Sequence, residues 1–333
     1  MSRSNEADDL QVPAIGYGTG TALRDKDARD YVIQAIEAGF SHIDTAQIYH
    51  NEASVGEAIR ETGLAREDLF VTTKYSSGPI QQAVRGSLSK SVEVLHLTRT
   101  AQLGLRYVDL YLIHWPDFVG GNFEGAWREF EKVKERGSIG VSNFTVEQLQ
   151  EIVKIAKIKP AVNQIEFHPY TYGSHKPLLA YAAKHDIVIE AYSTLAYVIR
   201  HFTSLTAVRV NVDPYADSPI TKFPGGPVDT PVDAAARRLG ITPTQVILAW
   251  AKAKGVVIVT TSSSKQHLRE YLAVGDLPPL KDDEIAAIDD AGAKGPPYMY
   301  TSTAKCGVLA FAAACAVYTL VLLRMWGNGC VVT

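Results

Sequence analysis

Cysteine is missing from residues 1–305; the chain's three are Cys306, Cys315 and Cys330. Over that stretch a disulfide, a thiolate nucleophile and a thiolate metal site are excluded, and a reducing compartment is expected. An excess of one charge is also missing. The chain has 33 basic and 36 acidic residues, a net −3, and no Lys/Arg cluster dense enough to track a phosphate backbone. That argues against a nucleic-acid binder. Residues Met1–Pro13 are polar and acidic without an apolar stretch, so no secretory signal is expected. A G-x-G-x-x-G turn is lacking too, since GYGTGTA at Gly16–Ala22 does not fit it, which weighs against a doubly wound open sheet.

What is present is 46% apolar and 21% charged over 333 residues, an ordinary globular composition. One α/β barrel of ~250 residues accommodates most of it. The far end differs. From Cys306 to Leu323 no charge occurs, between Lys305 and Arg324. At ~1.5 Å per residue this run approaches the ~30 Å hydrocarbon core once Met325 and Trp326 join it. It is apolar all round and follows the break Gly295-Pro296-Pro297. The expected organisation is therefore a barrel over 1–298, a linker at 299–305, a transmembrane tail anchor at 306–326 and a short tail at 327–333. A cytoplasmic barrel tethered to an intracellular membrane would follow; a buried terminal helix is the alternative.

Eight β-rich runs alternate with helical patterns: Val12–Gly18, Phe40–Ala46, Leu69–Tyr75, Val108–His114, Ser138–Asn143, Ala161–Phe167, Val188–Thr194 and Val256–Ser262. Such alternation predicts parallel strands with crossover helices, a (β/α)8 barrel. Amphipathic segments fall at Asp27–Ala38, Glu52–Thr62, Phe123–Glu135 and Val146–Lys157. Thr145 reads as a helix cap, and Pro243 and Gly255 as the start and stop of another helix. Polar residues collect at the C-terminal ends of the strand runs, where a parallel barrel carries its chemistry.

Asp44, Tyr49, Lys74 and His114 lie at or just after successive strand ends. Taken singly, they are a helix cap, a rim aromatic, a solvated lysine and a core histidine. Together they converge on one barrel face. A lysine ammonium stabilises phenolate and lowers a tyrosine pKa from near 10, and an aspartate holds the lysine in place. A histidine can orient a carbonyl. The set is a proton donor for an oxygen that becomes alkoxide-like as hydride reaches its carbon. Tyr17, Tyr75 and Trp115 are candidates to line an apolar substrate pocket.

The chain resembles the aldo-keto reductase family over nearly all of residues 10–295. The matching stretches are GYGTGTA, HIDTAQIYHNEASVGEAIRE, FVTTK, YVDLYLIHWP, SIGVSNF, AVNQIEFHPY, IEAYSTL and VVIVTTSSSKQHLRE. Within the family it looks most like the fungal branch acting on conjugated polyketones and 2-dehydropantolactone-like compounds. The resemblance implies Tyr49 as general acid/base, Lys74 and Asp44 as its tuning pair and His114 as carbonyl orienter, with no metal. It implies NADPH as coenzyme, its carboxamide held by Ser142, Asn143 and Gln164, its ring stacked on Tyr192, and a contact from Thr19. Ser193 and Leu195 fall in the loop over the pyrophosphate. Thr261, Ser262, Ser263, His267 and Glu270 match the region of the 2′-phosphate, although many relatives are more basic there. No obligate protein partner is implied.

The match breaks in three places. VEVLHLTRTAQ at 92–102 is additional, and the link at Arg136-Gly137 is short. AYVIRHFTSLTAVRVNVDPYAD at 196–217 is also additional, and removing it joins Leu195 to Ser218 in the family pattern. These insertions read as translated non-coding sequence or an unusual splice form, with a specificity lid as the alternative. The leading expectation is an NADPH-dependent carbonyl reductase. The competing ones are a redox-sensing nucleotide-binding subunit on the same barrel, and a chain inactivated by the 196–217 insertion.

Overall fold

A computed structural model of the chain describes residues 2–5, 10–20, 22–80, 82–83, 103–133, 137–195 and 226–295. An antiparallel pair, β1 (Ser2–Asn5) and β2 (Leu10–Pro13), comes first. The barrel strands follow: β3 (Ile15–Gly18), β4 (His42–Asp44), β5 (Phe70–Tyr75), β6 (Leu110–Ile113), β7 (Ser138–Ser142), β8 (Val162–Glu166), β9 (Val188–Tyr192) and β10 (Val257–Thr260). Among the described residues these close into one ring, β10 returning to β3, with every pairing parallel. The expected (β/α)8 barrel is thus present.

The run Val12–Gly18 is not one strand. Pro13 has no N–H to continue a ladder, and the chain splits there into β2 and β3. Val12 consequently belongs to the hairpin, where it packs with Leu10, Phe70, Leu110, Leu112, Val162, Val188 and Val257. These are mostly first residues of strands, so the hairpin closes the N-terminal mouth of the barrel.

Side chains alternate between lumen and helix layer. Ile43, Val71, Tyr75, Tyr111, Ile139, Val141 and Ile189 join the layer under the helices. Their neighbours His42, Asp44, Thr72, Lys74, Gln164 and Glu190 are buried without belonging to it. Apolar residues, with His42 against Phe70, fill the bottom of the lumen, and polar ones its upper part.

Helices cover the outside at Arg29–Ala38, Glu52–Glu61, Phe123–Val133, Val146–Ile155, Pro169–Lys184, Asp229–Leu239, Pro243–Ala253, Lys265–Ala273 and Asp282–Ala293. Thr145 caps its helix as expected, accepting from the Gln148 N–H while Gln148 reaches back. Pro243 opens and Gly255, at φ 75°, follows the other helix read from sequence. The insertions 92–102 and 196–217, the link at Arg136, the linker 299–305, the run 306–326 and the tail 327–333 lie outside the described residues. Among the described residues no helix is long and apolar enough to cross a membrane.

Candidate active site

The four residues singled out from the sequence meet at the C-terminal mouth. Asp44 ends β4, Lys74 is the last-but-one residue of β5 and His114 follows β6. Tyr49 ends the short 3-10 turn Gln47–Tyr49. Gln47 pins that turn: its Oε1 accepts from the N–H of Ser76 at 2.9 Å and of Ser77 at 3.1 Å. The loop after β4 is thereby tied to the loop after β5, which brings Tyr49 over Lys74.

Lys74 is fully buried. Its Nζ donates to Asp44 Oδ1 at 2.5 Å and to the Thr45 carbonyl at 3.0 Å, and lies 5.2 Å from the Tyr49 ring centroid. Burial works against its charge, but Asp44 and then Tyr49 outweigh it and raise the pKa. For Tyr49 the balance differs from the sequence expectation. Burial pushes the phenol above its ordinary value, and the pull of Lys74 offsets only part of that. Tyr49 is therefore held protonated through neutral pH, as a proton donor must be.

The His114 ring meets that of Tyr49 edge-on, centroids 5.5 Å apart. Its Nδ1 lies 3.2 Å from Ser76 Oγ. Burial, followed by Lys74 and Arg24, depresses its pKa to about 3, so the ring is neutral. A Ser76 hydroxyl donating to Nδ1 would place the ring proton on Nε2, the tautomer that can donate to a carbonyl oxygen. Ser76 was not visible as a site residue in the sequence, because its role arises from packing between two loops.

A cleft of about 480 Å³ opens above this group, lined by Tyr49, His114, Trp115, Ser142, Asn143 and Gln164 and by Tyr192–Leu195 and Val259–Thr261. Most of the expected coenzyme residues thus share one cavity with Tyr49 and His114. Asn143 donates to the His114 carbonyl at 2.9 Å and accepts from Tyr192 Oη at 2.7 Å, while Ser142 Oγ donates to the Gln164 carbonyl at 2.9 Å. Asn143 and Ser193 hold positive φ values of 65° and 56°, uncommon backbone for such residues and typical of functional sites. Gln164 Nε2 donates to Asp44 Oδ2 and to Glu190 Oε2, each at 2.8 Å. This leaves its carbonyl oxygen for the cleft. At Gly20 a Cβ would lie 3.2 Å from the Tyr49 hydroxyl, so its absence keeps the phenol approachable. This donor and acceptor set fits a planar carboxamide beside a reacting carbonyl.

Other expected residues sit elsewhere. Thr19 is fully buried behind the cleft, donating to the Asp44 carbonyl at 3.2 Å. Tyr17 does not line the cleft: it is fully buried, packs on Phe40 and donates to the Ser262 carbonyl. Tyr75 also faces the helix layer, against Phe130, with its hydroxyl on the Gly78 carbonyl. With Lys74 pointing into the lumen, alternation turns Tyr75 outward. Trp115, by contrast, is 43% exposed at the rim.

Beyond Thr261, Ser262 and Ser264 organise the start of the helix Lys265–Ala273. Ser262 Oγ accepts from the Ser264 N–H and approaches His267 Nδ1 at 3.4 Å, and Ser264 Oγ accepts from the His267 N–H. The Ser263 carbonyl accepts from Gln34, and the Glu270 carboxylate from Gln266. Glu190, a buried carboxyl in the lumen, was missed in the sequence; its one signal is an acidic residue inside the apolar strand VIEAY.

Comparison with known proteins agrees with the fold. Residues 14–293 match the model of the aldo/keto reductase family. An aldo-keto reductase of Mycolicibacterium vanbaalenii is 38% identical over 290 residues, 85% of this chain and 89% of that protein. The NAD/NADP-dependent indole-3-acetaldehyde reductase of Schizosaccharomyces pombe is 34% identical, covering 86% of this chain and 92% of its own. Among solved structures, the Bombyx mori aldo-keto reductase in complex with NADP is similar with a TM-score of 0.67 and 30% identity, covering 85% of this chain and 90% of that one. The chain belongs to the aldo/keto reductase family and is, by that membership, an oxidoreductase.

Proposed function

We propose that the protein is an NADPH-dependent carbonyl reductase acting on an aldehyde or ketone, with Tyr49 as proton donor. The observation that carries this reading is the buried Asp44–Lys74 pair beneath the Tyr49 ring, with neutral His114 edge-on beside it. When bound, NADPH supplies the hydride that the carbonyl carbon receives. Ser142, Asn143 and Gln164 hold the carboxamide, Tyr192 flanks the ring, and the Thr261–His267 segment, with its helix N-terminus and hydroxyls, takes the 2′-phosphate. His114 holds the carbonyl oxygen through Nε2–H. Tyr49 hands that oxygen a proton, and Lys74 stabilises the phenolate left behind. Trp115 contributes an apolar wall. The resemblance to the fungal branch suggests conjugated polyketones or 2-dehydropantolactone-like compounds as substrates.

A small α-dicarbonyl or an aromatic aldehyde offered with NADPH tests the activity. Tyr49→Phe is expected to lower turnover by about 10²–10⁴-fold, the usual contribution of a positioned proton donor. Quenching of protein fluorescence should show NADPH binding nearly unchanged in that variant. Equal turnover in the variant removes Tyr49 from its role. Binding without turnover of any carbonyl favours the redox-sensing subunit.

The barrel over 1–298 carries this function in our reading, and 306–326 tethers it. Deleting residues after Lys305 should move the protein from the membrane pellet to the supernatant at unchanged kcat and KM; an unchanged distribution between the two fractions refutes the anchor.

A further inference from the structure

Glu190 is fully buried in the lumen on β9, in register with Gln164 on β8. Its Oε2 accepts from Gln164, while its Oε1 has no hydrogen-bond partner. A buried carboxyl left half-satisfied is costly, and its single partner is the residue whose amide faces the coenzyme cleft. Ionised carboxylates only accept hydrogen bonds. With Asp44 and Glu190 both accepting, the two N–H bonds of Gln164 point inward and its oxygen is left for the cleft. A neutral Glu190 is the weaker acceptor, and the amide is then held firmly by Asp44 alone.

We propose that Glu190 is a positioning residue that, together with Asp44, holds the Gln164 amide with its oxygen toward the nicotinamide carboxamide, and that coenzyme binding favours the ionised form of Glu190 and so expels its proton. The inference rests on the coenzyme reading above. A carboxamide N–H2 needs the Gln164 oxygen held toward it, which a charge-assisted acceptor does best, so the ionised form of Glu190 binds more tightly. The proton leaves for the buffer, and no other bond is made or broken. Burial, then Asp44, push Glu190 up to about 7, with Gln164 and Lys74 opposing. The charged groups facing it are Asp44 from β4 and Lys74 from β5. Gln164 on β8 is uncharged, Glu166 sits higher at the rim, and Val257–Thr260 of β10 contains no titratable side chain.

Calorimetry of NADP⁺ binding at pH 7 in buffers of different ionisation enthalpy counts the proton directly. Because the coenzyme 2′-phosphate titrates in the same range, the reading is the wild-type count minus that of Glu190→Gln. A measurable excess of released proton, up to about half, should appear in the wild type, and its affinity should gain up to about tenfold from pH 6 to pH 8 relative to the variant. The variant should show a raised KM for the coenzyme with kcat within a few-fold. Glu190→Met, which replaces the carboxyl with an apolar side chain of similar size, carries the same test if Glu190→Gln does not fold. Equal proton counts and parallel pH profiles in wild type and variant overturn the inference while leaving the reductase reading standing. A wild type that binds neither NADP⁺ nor NADPH overturns both.

Discussion

Lys74 and Asp44 form an ion pair that is almost wholly removed from water, 0% and 3% exposed. Removing one partner of such a pair strands the other charge. Lys74→Met should therefore cost about 3–5 kcal/mol of stability in addition to most of the activity. Adding Asp44→Asn should restore much of the stability and none of the turnover. Denaturant unfolding of the two variants separates these effects. Buried histidines give a pH dependence of stability. Burial depresses His42 to about 4 and His114 to about 3, so the unfolded chain binds their protons first. Their contribution is complete above pH 6.5 and drains as pH falls towards 4 and 3. Glu190 has the opposite sign: its raised pKa contributes stability that is complete below about 4.5 and lost as pH rises through about 7. For His42 alone the change from pH 7.5 to 5.5 is about 1 kcal/mol. Thermal melts of His42→Asn over that interval should be flatter than those of the wild type by this amount.

At the scale of elements, the helix Glu52–Glu61 carries a glycine in its middle. Gly→Ala in a helix interior ordinarily stabilises by about 0.5–1 kcal/mol. Here the added Cβ would lie 1.8 Å from the Leu103 carbonyl oxygen. Gly56→Ala should therefore destabilise, by about 1–3 kcal/mol, as overpacking against backbone does. A raised melting temperature in that variant would show that the segment at Leu103 yields. The elements also show what the sequence could convey. Asp44, Lys74 and His114 were legible because a parallel barrel gathers its strand ends, so position along the run implies position in space. Tyr17 and Tyr75 misled because strand alternation sets sequence neighbours on opposite faces and turns both rings into the layer under the helices, Tyr75 opposite Lys74. Gln47 and Ser76 act through partners on neighbouring loops and Glu190 through its register partner on the next strand, positions no local pattern encodes. The split at Pro13 was written in the chain, but continuous β-forming residues on either side masked it.

For the whole molecule, Thr194 and Leu195 line the cleft immediately before residues 196–217. Excising that segment, to join Leu195 to Ser218, should tighten NADPH binding at unchanged Tyr49 chemistry, measured as a lower Kd by fluorescence quenching. If transcripts encode the segment in every copy, the splice reading fails and a specificity lid replaces it.

Among the described residues, the hairpin that covers the lower mouth leaves the C-terminal mouth as the barrel's doorway. With the lower mouth covered, coenzyme and substrate share the opposite side, and the order in which they arrive can matter. It also frees that doorway to vary. Rim residues such as Trp115 can be exchanged to suit new carbonyl compounds while the sealed end, with Val12 against Phe70 and Leu110, keeps the fold intact.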